Sequence, residues 1–236
     1  MNRCLLTLVL LVGLSRNSDL GSAQALAQQT VPAARTLYFA IDDLHLAFRD
    51  TIRIRALFRK IAPDIVHEGD RFAVFFTASP TTQLDVTTDR SRLNDAAMRM
   101  TGAGLRPSQF IEGFERDEIV HRAHVALSRI GELLTMAGDD SNQKVVLLLS
   151  EGWDFDAAHA DLTQELNTVI SAANRVNARV YTLDPSRVVS PVSLVGGDPA
   201  ALAPHRLRME ITLRTLSGRT GGVYAETISD LQGASQ

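Results

Sequence analysis

The chain has 236 residues, of which 45% are hydrophobic and 22% are charged. This composition is typical of a globular protein and fits one α/β domain of about 200 residues after removal of a leader. The formal net charge of −3 argues against a protein-wide basic field of the kind that binds nucleic acid or an anionic membrane.

The N-terminal segment, residues 1–27, is typical of a secretory signal peptide. Arg3 precedes an apolar run at residues 4–14, which is too short to span a bilayer. Ala25 and Ala27 supply a small-x-small cleavage pattern, so we expect cleavage after Ala27. An uncleaved N-terminal anchor is the alternative interpretation.

Cleavage there would leave a polar linker at residues 28–35 and an exported chain, periplasmic or extracellular, with no stable membrane insertion. The only cysteine, Cys4, lies in the predicted signal peptide. The mature chain would therefore have no disulfide, no thiol nucleophile and no thiolate metal site.

The first predicted strand is the apolar run at residues 37–41, which leads directly into Asp42 and Asp43. A continuous apolar run is typical of a strand buried on both faces of a parallel sheet. The two acids would lie at its carboxyl end, where open α/β sheets place their ligand sites.

Alternating helix and strand patterns follow along the chain. Helices are predicted at residues 51–65, 90–100, 115–136, 157–176 and 206–216, and strands at 71–76, 144–149, 179–183 and 223–225. Asp50 is expected to cap the first of these helices, which would pack through one apolar face formed by Ile52, Leu57, Phe58 and Ile61.

Two segments interrupt this alternation. Residues 82–87 alternate polar and apolar side chains, as expected of an edge strand or hairpin arm. Residues 186–204 contain prolines and glycines without periodicity and are predicted to form a mobile insertion.

The pattern predicts a Rossmann-like doubly wound sheet, mainly parallel with one short antiparallel edge strand and with helices on both faces. One domain would cover residues 36–228, and residues 229–236 would form a C-terminal tail. Polar side chains would meet where the strands end, and we call these residues the rim: Asp42, Asp43, Thr77, Ser79, Ser150, Glu151 and Asp184.

Oxygen ligands of this kind suit hard divalent cations. For Asp184, which precedes Pro185, capping of a helix or turn is the favoured interpretation. A surface zinc site at Asp117, His121 and His124 is geometrically feasible on one helix face, but a solvated face is the favoured interpretation there as well.

Several motifs resemble the von Willebrand factor type A (VWA) domain, and most closely the VWFA-related domains of secreted bacterial proteins. They are "VVLLLSEGWDF", "ANRVNARVYTLDP" and "TLSGRTGGVYAET", together with the acid that closes the first strand. The resemblance covers residues 36–228 and implies a protein-binding domain.

The family's metal-ion-dependent adhesion site uses an Asp-x-Ser-x-Ser motif, which here reads Asp42-Asp43-Leu44-His45-Leu46. Because leucines replace both serines, the resemblance implies a degenerate site that could hold Mg²⁺ or Ca²⁺ through Asp42, Asp43 and Glu151. The residues expected to bind a partner protein at the rim are His45, Ser79, Ser150, Trp153 and Phe155. The aromatic pair could alternatively cover the sheet end as part of the core.

Recognised catalytic motifs are absent from the sequence: it has no Gly-x-Ser-x-Gly elbow, no His-Glu-x-x-His and no phosphate-binding loop. We therefore predict a non-enzymatic binding module. The alternatives are a metal-assisted hydrolase using Asp42, Asp43 and His45, or a structural domain with a dead site.

Overall fold

The computed structural model describes residues 35–79, 84–106, 116–138, 143–156, 158–189 and 198–234. The predicted signal peptide and all of the predicted linker except Arg35 lie outside these residues. Residues 82–83 of the predicted edge strand and 190–197 of the predicted insertion also lie outside them.

In the described part of the chain, five strands form one sheet, and all of their pairings are parallel. The strands are β1 (Thr36–Ile41), β2 (Arg71–Phe76), β3 (Lys144–Leu149), β4 (Ala178–Leu183) and β5 (Tyr224–Ala225). Their order is β2-β1-β3-β4-β5. This order reverses direction between β1 and β3, the position at which doubly wound folds place their ligand crevice.

Seven α-helices lie within the described residues. They are α1 (Thr51–Ile65), α2 (Ser91–Arg99), α3 (Arg116–Met136), α4 (Ala160–Arg175), α5 (Pro185–Val189), α6 (Pro199–Arg219) and α7 (Ile228–Ala234). A short 3₁₀ helix, Phe48–Asp50, leads into α1.

Helices cover both faces of the sheet, which confirms the predicted α/β architecture. Alternate residues of β1 face opposite sides, so Phe39 packs in one core with residues of α1 and α2, whereas Tyr38 and Ala40 pack in the other with residues of α3, α4 and α6. Burial on both faces explains why β1 and β3 are continuous apolar runs after their first residues.

The predicted antiparallel edge strand is not formed within the described residues. Phe72 and Thr87 exchange two backbone hydrogen bonds of 2.8 Å in a single antiparallel bridge, and no longer ladder extends from it. The sheet described here is therefore entirely parallel.

The helix predicted at residues 206–216 is longer than expected and begins at Pro199. The Asp198 side chain accepts a hydrogen bond from the backbone N–H of Ala200, and Pro199 occupies the first turn, where its missing N–H is harmless. Part of the predicted mobile insertion is thus helical. The predicted C-terminal tail also contains a helix, α7.

The predicted apolar face of α1 was wrong at Ile52. Ile54, Leu57, Phe58 and Ile61 are buried, whereas Ile52 is 79% exposed. At about 100° per residue, Ile52 lies well away from the direction of Leu57, and Ile54 takes its expected place.

Candidate functional site at the carboxyl end of the sheet

Asp42 is the centre of the rim and has no exposed surface. Its backbone N–H continues the sheet by donating to Leu149 O at 2.9 Å, and its carbonyl accepts the N–H groups of His45 and Leu46. The carboxylate therefore lies between β1 and β3, at the point where the strand order reverses.

Four side-chain donors surround the Asp42 carboxylate. Thr77 Oγ1 donates to Oδ1 at 2.9 Å, and His45 Nδ1 lies 3.0 Å from the same oxygen. Ser150 Oγ donates to Oδ2 at 2.7 Å and Trp153 Nε1 at 3.1 Å. These donors come from the segments after β1, β2 and β3, so one buried carboxylate ties three strand ends together.

The electrostatics of this centre favour the ionised form of Asp42. Burial raises the pKa of Asp42, but its interaction with His45 and the hydrogen bonds from His45, Ser150 and Thr77 outweigh burial and lower the pKa overall. The carboxylate is thus a buried charge stabilised by donors, as expected for a group that accepts several hydrogen bonds.

Gly152 allows the chain after β3 to reach this position. Its φ of +90° favours glycine, and a Cβ there would lie 2.3 Å from the carbonyl oxygen of Met209 on α6. The Ser150 hydroxyl accepts the Gly152 N–H at 3.0 Å while donating to Asp42. The turn directs the indole of Trp153 inward.

Asp43 points toward the segment after β2 and is half-buried. Its Oδ1 accepts from Ala78 N at 2.7 Å and lies 3.1 Å from Thr77 Oγ1. Burial raises the pKa of Asp43, and the nearby charge of Asp42 acts in the same direction. Since Thr77 carries one hydroxyl hydrogen, it can donate to only one of the two acids at a time.

Glu151 joins the end of β3 to the loop before α1. Its Oε1 accepts the backbone N–H of Ala47 at 2.8 Å. Burial raises its pKa to about 8, and the charges of Asp184 and Asp50 add to this effect. Glu151 is therefore mainly protonated at neutral pH, a poor state for a cation ligand.

Asp184 acts as a cap, as the favoured interpretation predicts. Its Oδ1 accepts from the backbone N–H of Ser186 at 2.9 Å and from the Ser186 hydroxyl at 2.7 Å, at the start of α5. Burial raises the pKa of Asp184. His124, proposed above for a surface zinc site, instead contacts Glu165 at 2.5 Å and Asp161 at 3.1 Å on α4.

The predicted partner-binding residues fall into two groups. His45 and Ser79 retain some exposure. Ser150 and Trp153 are fully buried and Phe155 is 7% exposed, so the prediction that these three contact a partner directly has to be corrected. The indole N–H of Trp153 donates a hydrogen bond to Asp42, and Phe155 packs in the core beside α4.

The residues at Asp42 do not fit a divalent cation in this arrangement. The Ser150 and Thr77 hydroxyls could turn to offer lone pairs, but an indole N–H is only a donor. The Trp153 N–H already occupies Oδ2 of Asp42, the oxygen that Ser150 also reaches. Within the described residues, no group of three or more His, Cys, Asp or Glu side chains could hold a metal ion.

The loop that follows Asp42 is held by a neighbouring segment. Ala103 N donates to Asp43 O at 2.7 Å and Gly104 N to Leu46 O at 2.8 Å. The guanidinium of Arg122, on α3, donates to the carbonyl oxygens of Leu44 and Ala103. The loop between β1 and the 3₁₀ helix is thus held in place relative to the sheet.

Two exposed apolar side chains follow this loop, and sequence reasoning missed both. Phe48 is 70% exposed and Ile52 is 79% exposed, four residues apart at the entry to α1. Because α1 begins at the carboxyl end of β1, these side chains flank the rim. The spacing of Ile52 relative to Ile54 and Leu57 is a sequence signal that could have indicated its exposure.

Comparisons with known proteins do not assign the chain to a protein family. No protein-family model matches the chain, and a search of curated proteins finds no match. The resemblance to VWA domains therefore rests on the motifs quoted above and stays a prediction. None of the helices in the described part of the chain is both long enough and apolar enough to cross a membrane.

Proposed function

We propose that the protein is an exported, non-enzymatic binding module that recognises a partner protein at the rim of a VWA-like domain. Its partner contacts the exposed pair Phe48 and Ile52, and the buried Asp42 centre holds the strand ends in place of a bound cation. The observation that carries this proposal is the exposure of two large apolar side chains beside the rim, one on the short 3₁₀ helix and one in the first turn of α1.

Exposed apolar side chains of this size favour a binding role for two reasons. Apolar side chains at the centre of a protein interface often act as anchors, and anchors work best when their backbone is already ordered. Phe48 follows Ala47, whose N–H is bonded to Glu151, and Ile52 lies in the first turn of α1. Both anchors therefore start from fixed positions.

Replacement of both anchors, Phe48→Ser with Ile52→Ser, is expected to weaken partner binding by about a hundredfold or more, since each of the two buried apolar side chains contributes about 1.5–3 kcal/mol. The measurement is affinity capture from extracts of the source cells, followed by the dissociation constant of each captured protein after purification. Folding of the variant is checked by circular dichroism.

A matched control is available on α6. Leu207 and Ile211 are also four residues apart and are 58% and 50% exposed, so Leu207→Ser with Ile211→Ser removes a similar apolar pair away from the loop after Asp42. The proposal requires a protein retained by the wild type and the α6 variant but lost by the Phe48/Ile52 variant. Identical captured sets for all three proteins contradict it.

A second prediction concerns metal ions. A cation bound only to the folded state, at about a hundred times its Kd, would add about 2.7 kcal/mol to the free energy of unfolding. Because the donors around Asp42 do not fit a cation, we expect equal thermal midpoints in EDTA and in millimolar Mg²⁺, Ca²⁺ or Mn²⁺. A rise that Asp42→Ala abolishes would instead establish a metal-dependent site.

One observation favours the alternative of a hydrolase. His45 Nδ1 contacts the buried Asp42, an arrangement that can orient an imidazole as a general base. In the described residues no hydroxyl contacts the other ring nitrogen of His45, so a nucleophile for this base is not formed there. Turnover of an ester or phosphate panel that His45→Ala abolishes would favour this alternative over binding alone.

A further inference from the structure

A basic surface runs along α1 from the exposed apolar pair. Residues 48–60 contain five cationic residues and one acid, Asp50, in a chain whose formal net charge is −3. Asp50 is 2% exposed and pairs with Arg49 Nε at 3.5 Å and with Arg53 Nη1 at 3.4 Å. This one acid offsets only part of the charge of the five cations, so the segment stays positively charged. We define the α1 basic face as the exposed residues Arg49, Ile52, Arg53, Ala56, Arg59 and Lys60.

Helical spacing places these residues together. They recur at intervals of three and four along α1, which corresponds to one side of a helix. The opposite side packs on the sheet through Ile54, Leu57 and Phe58. The α1 basic face therefore points away from the core along most of the helix, and Phe48 lies at its rim end.

Several side chains on this surface are held by neighbours. Arg59 donates through Nε to Asn94 Oδ1 at 3.0 Å on α2, and its Nη2 lies 2.7 Å from Met98 Sδ. Arg55, on the flank of the face, donates to Met100 O at 2.8 Å. Met98 is itself 56% exposed, so α2 adds a third apolar side chain next to the cations.

From this arrangement we propose that the partner is an acidic protein segment that docks along the α1 basic face. Its carboxylates pair with Arg49, Arg53 and Arg59, and its apolar side chains contact Phe48 and Ile52. This inference rests on the proposed function and adds the chemical class of the partner.

The mixture of groups selects this partner class. Guanidinium groups match carboxylates in bidentate pairs, and the positive field steers an acidic chain toward the surface. A nucleic-acid backbone offers phosphates without aliphatic side chains for Ile52. An anionic membrane offers both charge and apolar depth, so the experiment includes it as a competing outcome.

The experiment uses the folded protein and a random peptide library displayed on phage. We expect the selected peptides to combine Asp or Glu with large apolar residues. A synthesised selected peptide should bind at least about tenfold more weakly to Arg49→Gln with Arg53→Gln, and its affinity should fall as salt is raised. Because both arginines pair with the buried Asp50, glutamine is chosen so that an amide N–H can still donate to that carboxylate, and circular dichroism checks the folding of the variant.

A matched control removes two arginines elsewhere. Arg175 and Arg179 are exposed near the start of β4, at the edge of the sheet opposite the rim. Arg175→Gln with Arg179→Gln changes the net charge by the same amount as the α1 variant. Its affinity for the selected peptide is expected to stay within about twofold of wild type.

Three outcomes would overturn the proposal. Peptides without acidic residues whose binding requires Phe48 and Ile52 would overturn the acidic partner and leave the proposed binding function standing. Equal loss of affinity in both arginine variants would show that only net charge matters. Binding to phosphatidylserine–phosphatidylcholine vesicles that requires Arg49 and Arg53, without selection of acidic peptides, would replace the protein partner by a membrane surface.

Discussion

Replacement of Asp42 by asparagine is expected to lower the free energy of unfolding by about 3 kcal/mol or more. The side chain keeps its shape but loses its charge, and its amide NH₂ faces donors that previously met a carboxylate oxygen. The loss of one member of a buried, hydrogen-bonded charge cluster typically costs about 3–5 kcal/mol. Urea unfolding at neutral pH measures the change.

The neighbouring acid provides the control for this variant. Asp43→Asn keeps an oxygen for the Ala78 N–H and removes a charge that burial already disfavours, so a change below about 1 kcal/mol is expected. Similar losses for Asp42→Asn and Asp43→Asn would contradict the assignment of Asp42 as the centre of the rim.

The lowered pKa of Asp42 also fixes how this contribution depends on pH. A group whose folded pKa lies below its unfolded value stabilises the protein above that ordinary value, near 3.8. The contribution is lost as pH falls through the folded pKa. Asp42→Asn should therefore flatten the acid side of the stability profile, in addition to lowering the stability at neutral pH.

The sheet could be predicted from the sequence because its inner strands lie under helices on both sides. Burial on both faces favours apolar residues at every position of β1 and β3 after their first residues, Thr36 and Lys144, and such runs are visible without a structure. The position of Asp42 follows from the same logic, since the residue after a buried parallel strand must lie at the carboxyl edge of the sheet.

The contacts of Asp42 could not be predicted in the same way. Trp153 reaches Asp42 from 111 positions along the chain, and its direction depends on the left-handed turn at Gly152 and on the path of α6. The sequence shows an aromatic residue after Ser-Glu-Gly, but it does not show whether the ring turns inward. Tertiary packing decides between a surface patch and the core.

The partial exposure of α1 was missed for a different reason. The apolar character of Ile52 predicts a buried position, whereas its angular position on the helix places it on the solvent side. Ile52 is therefore an apolar residue without a core position, and the basic residues around it follow the same exposed spacing. A surface of this kind is informative because folding alone does not require it.

Glu151→Gln is expected to make the protein more stable than the wild type at about pH 9 and to leave its stability nearly unchanged at about pH 4, where Glu151 is protonated in both the folded and the unfolded state. In the wild type the folded pKa of Glu151 is about 8, above the ordinary value of 4.5. Between these two pH values the folded state therefore binds more protons than the unfolded state. Stability should then fall as pH rises from about 4.5 to 8, by the order of a few kcal/mol.

Glutamine separates charge from hydrogen bonding at this position. Its side-chain oxygen can still accept the Ala47 N–H, so the loop before Phe48 keeps its anchor, but no proton is lost at high pH. Urea unfolding across this pH range and the ¹³C shift of the Glu151 carboxyl give independent measurements. Glu68→Gln, at an exposed position between α1 and β2, is the control and should follow the wild-type profile.

The comparison of these profiles tests how the rim is built. If Glu151 is neutral at physiological pH, the carboxylates of Asp42 and Glu151 are in opposite states, with one buried charge held by donors and one buried acid kept protonated by its surroundings. Equal alkaline losses for the wild type and Glu151→Gln would contradict this. The expected difference would instead show that a single ionised carboxylate organises the strand ends, which leaves the exposed apolar pair and the α1 basic face free to bind a partner.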